Sequence, residues 1–339
     1  MALIEVAGLR KEFAVRRRRG GALGALRGVL ERDRAVFTAV AGISFAVERG
    51  EMVGYVGPNG AGKSTSIKML TGILVPSGGR VLVDGLVPWQ QRRRLASRIG
   101  VVFGQRTQLW WDLPLIESLD LLHHIYRVPE ERYRHNLRQF TDLLDLEPFL
   151  ATPVRQLSLG QRMRGDLAAA LLHDPAILYL DEPTIGLDVV AKERIRTFLR
   201  DLNRERGVTV LLTTHDMADI ARLCERMLLI DHGTLLYDGG VAEITTCYGG
   251  ERRLVVDLDE EVACPDVPGA QLERRDGARL WLAFRREKVS APELIARVSN
   301  RYRIRDLRLE EPDIEEVVRR IYEEGLPGAE RAPLALMSR

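Results

Sequence analysis

The chain has 339 residues, 45% of them hydrophobic and 29% charged, enough for two or three domains with ordinary globular cores. Its 50 Lys and Arg stand against 48 Asp and Glu, a net charge of +2, so the global balance gives no reason to expect nucleic acid as a partner. Three separated cysteines, Cys224, Cys247 and Cys264, form no C-x-x-C pair; they argue against a disulfide framework or a zinc site and fit a reducing cytosol.

Residues 2–8 read as a first strand, and charges follow too early for a signal peptide. Residues 14–37 form a basic insert in which arginines 16–19 precede Leu23, Leu26, Val29 and Leu30 at helical spacing. Residues 39–47 and 51–56 read as strands, the second running into a glycine-rich turn. The longest nearly uncharged run, 35–47, is too short to span a bilayer. Apolar β runs recur before Gln105, before Asp181, before His215 and over 227–230, with helical patterns between. That alternation predicts an α/β fold with a mainly parallel sheet. Residues 113–150 read as helical throughout, and within 105–114 two tryptophans, Trp110 and Trp111, stand side by side. Neighbouring side chains diverge on either a strand or a helix, so one narrow core stripe does not hold both. Beyond Gly249 the character changes. Three short strands over 252–286, a helix over 290–301, a strand over 303–309 and an amphipathic helix over 312–324 predict a small α+β domain spanning 250–325. Residues 326–339 carry little pattern and read as a loose tail.

The strongest chemical signal is Gly57-Pro58-Asn59-Gly60-Ala61-Gly62-Lys63-Ser64-Thr65, which satisfies G-x-x-x-x-G-K-[ST] between a strand and a helix. Its glycines let backbone N–H groups surround phosphate oxygens. Lys63 adds a point charge at the β and γ phosphates, Ser64 offers a hydroxyl to Mg²⁺, and the helix end favours the anion. The second signal is the apolar run ending in Asp181-Glu182. Alone, such an acid pair commonly caps a helix. Beside a P-loop, Asp181 suits Mg²⁺ and Glu182 suits polarising the attacking water.

With these motifs in this order, residues 3–240 resemble the ATPase subunit of an ATP-binding cassette (ABC) transporter. The resemblance implies a P-loop NTPase cassette over residues 1–248, with a mainly parallel sheet, an antiparallel β subdomain and a helical subdomain at about 106–165. The family's signature, usually LSGGQ, stands here as Leu157-Ser158-Leu159-Gly160-Gln161. In the family it binds the γ-phosphate held by the opposite subunit, which places Ser158, Leu159, Gly160 and Gln161 in the nucleotide site. Leu159 departs from the usual glycine and is tolerable if its side chain points away from the phosphate. His215 resembles the switch histidine, and Asp188 the aspartate of the loop that couples the two sites; Asp188 as a plain helix cap is the alternative. Phe13, in Lys11-Glu12-Phe13, resembles the aromatic that stacks on adenine, with Phe37 the competitor across the insert. Gln105 resembles the glutamine that touches Mg²⁺ and the water, with Gln108 the competitor. The Trp pair then falls on the surface that receives a membrane subunit's coupling helix.

One cassette supplies half of each of two ATP sites, so the resemblance implies a head-to-tail dimer with itself or a similar subunit. It implies ATP and Mg²⁺ as cofactors, a separate transmembrane permease as partner, and a cytoplasmic position on the inner face of the cell membrane. An SMC-like ATPase would need a long coiled coil between P-loop and signature, yet Lys63 and Ser158 are only 95 residues apart. Soluble ribosome-acting relatives carry two cassettes per chain. The segment Pro312-Asp313-Ile314-Glu315-Glu316-Val317 resembles the start of the last helix in drug and polysaccharide exporter ATPases. The insert and the Trp segment resemble an exporter subgroup linked to efflux of cationic compounds; an importer ATPase is the alternative.

Overall fold

The computed structural model describes residues 2–16, 34–104, 106–248, 251–262, 265–285, 288–311 and 313–325. The chain divides into two compact units, Met1–Asp238 and Gly239–Arg339.

In the first unit a six-stranded sheet runs in the order β5-β6-β7-β3-β8-β9. Its members are β3 (Met52–Val56), β5 (Ile99–Phe103), β6 (Ile177–Asp181), β7 (Thr209–Thr214), β8 (Arg226–Asp231) and β9 (Thr234–Gly240). The β5-β6-β7-β3-β8 pairs are parallel. Every residue of β3 and β7 is buried, which is why these strands read as unbroken apolar runs rather than alternating ones. Parallel pairing also brings the C-terminal ends of β3, β6 and β7 to one edge, with Val56 opposite Thr214 and Asp181 opposite Thr213.

A second, antiparallel sheet has the order β2-β1-β4, from β1 (Ala2–Arg16), β2 (Arg34–Glu48) and β4 (Gly78–Val83). Both long strands outrun the sequence expectation of 2–8 and 39–47. The ladder continues through Phe13 opposite Phe37 to Arg16 opposite Arg34, because aromatic and β-branched residues on both sides suit a pleated surface. The ends of the basic insert are therefore hairpin; Leu23, Leu26, Val29 and Leu30 lie outside the described residues. Helices Leu115–Tyr126, Glu130–Leu143 and Leu159–Leu171 occupy the helical stretch. Leu115 and Leu119 are fully buried there.

The second unit is a four-stranded antiparallel sheet, β11-β12-β10-β13, from β10 (Glu251–Leu258), β11 (Gln271–Asp276), β12 (Arg279–Arg285) and β13 (Ile304–Glu310). Helix Ala291–Ser299 adds Leu294 and Val298 to a core with Leu254, Val256, Leu280 and Leu282. Helix Val241–Tyr248 packs on helix Ile314–Glu324, so it belongs to this unit. Among the described residues no helix is long and apolar enough to cross a membrane.

Candidate active site

The loop after β3 is braced from three sides. Tyr55 donates its hydroxyl to Ser66 Oγ at 3.0 Å, tying strand to helix Lys63–Leu70. Gly233 N–H donates to the Ala61 carbonyl at 3.0 Å. Gly62 has φ +105, and a Cβ there would stand 2.6 Å from the Ala39 oxygen. Only glycine meets both conditions, and the loop's curvature depends on it. Pro58, Asn59 and Gly60 are exposed at its tip, whereas Ala61 is buried and Thr65 half-buried. The Lys63 ammonium folds back onto the carbonyls of Gly57 and, at 3.1 Å, Pro58. Burial holds it below its usual pKa, an effect that the carboxylates of Glu182 and Asp181 oppose.

Asp181 ends β6 as the most heavily bonded carboxylate of the site. Its Oδ2 accepts from Ser64 Oγ at 2.8 Å and its Oδ1 from Thr213 Oγ1 at 2.6 Å. Gly104 N–H donates to its carbonyl at 2.7 Å. Glu182 follows with φ +56, a left-handed conformation that costs a non-glycine residue ~1–2 kcal/mol. Such an outlier points to a functional constraint. His215, on the turn after β7, brings Nδ1 to 3.3 Å from Glu182 Oε2.

These groups converge on one cleft of about 720 Å³, lined by Asn59, Ser64, Asp181, Glu182 and His215, with Gly104 and Arg106 beside them. Another cleft of equal volume, between Arg49, Asn136, Asp174 and Arg206, contains none of the sequence-predicted residues. Volume alone does not identify the site; the convergence of a buried ammonium, a hydroxyl, two carboxylates and an imidazole does. The oxygen set of Ser64 and Asp181 suits a hard cation such as Mg²⁺, and the loop suits a polyphosphate.

Other predicted residues lie apart from this cleft. Ser158 caps helix Leu159–Leu171 in a reciprocal box with Gln161: Gln161 N–H donates to Ser158 Oγ at 3.2 Å, and Ser158 N–H to Gln161 Oε1 at 2.9 Å. Leu159 turns onto the loop after Glu182, its Cδ2 standing 2.9 Å from where a Cβ on Gly186 would lie. The unusual leucine is thus accommodated by a neighbouring glycine, and Gly160 lies against Leu187 and Ala191. Asp188 Oδ1 accepts from Ala191 N–H at 2.8 Å and caps helix Val189–Arg206. Phe13 and Phe37, the competing adenine aromatics, are direct cross-strand partners. Both are exposed, and the Lys11 ammonium stands 5.1 Å from the Phe13 centroid. Gln105 lies outside the described residues. Gln108 is engaged elsewhere, its backbone N–H donating to Asp166 Oδ1 and its Nε2 to the Asp166 carbonyl, both at 3.1 Å.

Sequence reasoning missed Thr213, Asp166 and Asp219. Thr213 precedes a singled-out histidine by two positions, yet only the β6–β7 register reveals its bond to Asp181. Asp166 anchors the 105–111 segment by accepting from Thr107 Oγ1 at 2.8 Å as well as from Gln108. Burial pushes its carboxyl up to about 6, against those hydrogen bonds. The folded state therefore favours the neutral acid more than the unfolded chain does. Its contribution is fully present below about pH 4 and is lost as pH rises through about 6, on the order of 3 kcal/mol. Asp166→Asn is expected to flatten that fall when unfolding free energy is measured by urea at mildly acid and neutral pH. An equal fall in both proteins refutes the assignment.

A family model described as ABC transporter matches residues 40–185. The ABC transporter ATP-binding protein NatA of Bacillus subtilis is 33% identical over 65% of this chain and 87% of its own length. The methionine import ATP-binding protein MetN of Latilactobacillus sakei is 31% identical over 81% of this chain and 82% of its own. The linearmycin resistance ATP-binding protein LnrL of B. subtilis is 32% identical over 63% and 68%. Among solved structures, the ATP-binding subunit of an ABC transporter superposes with TM-score 0.61 at 26% identity, covering 73% of this chain and 93% of that one. A dimeric cassette, MJ0796, in a post-hydrolysis state with ADP and Pi, gives 0.58 at 27%, covering 70% and 98%.

Proposed function

The chain belongs to the ABC transporter family and is the ATP-binding, ATP-hydrolysing subunit of a transporter, and from that premise we propose that it drives export through a separate membrane-spanning permease. The convergence of Lys63, Ser64, Asp181, Glu182 and His215 at one sheet edge carries the catalytic part of this reading. Lys63 and the backbone N–H groups of the loop receive the β and γ phosphates. Ser64 and Asp181 would hold Mg²⁺, which when bound would neutralise phosphate charge. Glu182 polarises the water, and His215, whose Nδ1 lies 3.3 Å from the Glu182 carboxylate, contacts the γ-phosphate and orients that water. Gln105, outside the described residues, would add a further ligand to the metal and a hydrogen bond to the water, and Phe13 a face for adenine.

Ser158, Leu159, Gly160 and Gln161 cap the γ-phosphate held by a second cassette, their helix end favouring the anion. Two chains, identical or similar, close head to tail around two nucleotides, and Asp188 links the two sites. The solved MJ0796 cassette is a dimer, which supports this arrangement. The subunit acts from the inner face of the cell membrane, where its permease presents a coupling helix.

Export is favoured by the second unit, an antiparallel sheet with helices rather than a β-barrel, and by likeness to a linearmycin resistance subunit. Likeness to a methionine import subunit makes direction the point to test. Inside-out vesicles from cells co-expressing this chain and its permease should accumulate a cationic dye on addition of ATP. Accumulation confined to right-side-out vesicles loaded with ATP overturns export.

The tandem tryptophans supply the coupling surface. Trp110 is 37% and Trp111 51% exposed, while the preceding Leu109 is buried. Trp111 lies under the Arg162 guanidinium at 5.6 Å. Large aromatic rings left outside the core are suited to anchoring a partner helix. Trp110→Ala and Trp111→Ala should leave folding and basal ATPase intact, and at least one should cut transport about tenfold or more. A drop in thermal midpoint without a transport defect refutes the docking role.

A further inference from the structure

Away from the nucleotide cleft, helix Leu115–Tyr126 brings Asp120, His123 and His124 together near its end. Their ligating atoms all lie within 4.8 Å of one another. His123 Nδ1 is 3.8 Å from Asp120 Oδ1, and His124 Nε2 is 3.7 Å from Asp120 Oδ2. At such separations these are not hydrogen bonds. They are a few tenths of an ångström wider than the spacing of ligands around a cation bound at ~2.0–2.2 Å.

His123 supplies the independent observation. The residue is only 7% exposed, yet its Nδ1 has no hydrogen-bond partner, an arrangement unfavourable for a buried polar atom. The ring is held in place by parallel stacking on Tyr133, with centroids 4.3 Å apart and planes at 4°. Its other nitrogen, Nε2, faces Glu130 Oε2 at 3.7 Å, and Glu130 is itself fixed by Arg134 Nε at 2.7 Å. At 3.7 Å no hydrogen bond forms, but a small shift would bring the carboxylate to the far N–H, the arrangement that keeps a ligating imidazole in one tautomer with the near lone pair left for a metal.

We propose that Asp120, His123 and His124 form a binding site for a divalent transition-metal ion, zinc being the best match, with Glu130 orienting His123 from behind. Two imidazoles and one carboxylate select Zn²⁺, Co²⁺ or Ni²⁺ over Mg²⁺ or Ca²⁺, which prefer all-oxygen shells. The proposed ligand set contains no cysteine, so the sparse spacing of the cysteines has no bearing on this site. With side chains of Asp120 and His124 54% and 68% exposed, water completes the coordination. The ion ties the last turns of one helix beside its junction with helix Glu130–Leu143, where Arg127 adopts φ +52.

The test uses the full chain, stripped with chelator and free of nucleotide and magnesium, titrated with Co²⁺. One equivalent should bind with the visible absorption of a low-coordinate cobalt centre, and Zn²⁺ should displace it and raise the thermal midpoint. Asp120→Asn and His124→Ala, both at exposed positions, should each weaken binding tenfold or more and abolish the Zn²⁺-induced shift. Glu130→Gln should weaken it about tenfold, and His215→Ala, in the other site, should leave cobalt binding as it is. Unaltered cobalt binding in His124→Ala, or no binding by the unmodified chain, overturns the proposal.

Discussion

Glu182→Gln is expected to bind ATP as tightly as the unmodified chain while hydrolysing it about 10²–10⁴ times more slowly, the usual contribution of a positioned general base. Glutamine matches glutamate in shape, so the left-handed backbone at φ +56 and the 2.9 Å bond from the residue's N–H to the Thr213 carbonyl are retained. What disappears is the negative charge 3.3 Å from His215, and with it the means to polarise water. Binding followed by arrested turnover should trap the head-to-tail dimer, visible by size-exclusion chromatography in MgATP. A second signature follows from Lys63, whose ammonium Glu182 supports against burial. In Glu182→Gln that support is halved in number, so ATP affinity should fall at a lower alkaline pH than in the unmodified chain. Turnover within twofold of normal refutes the assigned role.

The largest stability effect is expected at Asp219, which takes no direct part in binding nucleotide. It is fully buried. Its Oδ2 accepts from Thr184 Oγ1 at 2.5 Å and from Thr214 Oγ1 at 3.4 Å, and its Oδ1 accepts from Arg196 Nε at 2.6 Å. Arg196 has a side chain only 7% exposed, and without Asp219 it keeps Glu193 at 3.3 Å and Asp216 at 3.7 Å. Removing one partner of a buried ion pair strands the other, at ~3–5 kcal/mol. Asp219→Ala should therefore lower the thermal midpoint by about 10 °C for a unit of this size. Thr184 and Thr214 flank Glu182 and His215 in sequence, so ATPase activity should fall as well. Asp219→Asn, which keeps an acceptor for Arg196 or Thr184, should cost less. A loss under about 1 kcal/mol in Asp219→Ala shows that the remaining carboxylates suffice.

The candidate cleft was largely legible because its pieces are local. The glycine-rich loop, the Asp181-Glu182 pair and His215 each sit where an apolar run ends, and such runs announce themselves over five or six residues. Other readings turned on distance in space. Phe13 and Phe37 competed for one role on the sequence, yet the β1–β2 register makes them partners across a ladder. Gln108, the rival of Gln105 on the sequence, bonds through both its backbone and its side chain to Asp166, 58 residues on. Leu159 was an anomaly in a glycine-rich signature until Gly186, 27 residues on, proved to make room for it.

By itself, then, the amino-acid sequence determined the fold class, the order of motifs and the chemical identity of the groups that gather at the candidate cleft. These depend on periodicity, turn chemistry and residue type, which act within a few positions of the chain. The tertiary structure alone decided which strands lie side by side, and so which hydroxyl meets Asp181, which carboxylate neutralises Arg196 and which imidazole nitrogen is buried without a partner. It also left Trp110 and Trp111 outside the core, with Leu109 in their stead. Those outcomes depend on the register and order of strands and on complementary burial between segments far apart in sequence, where no local pattern carries the information.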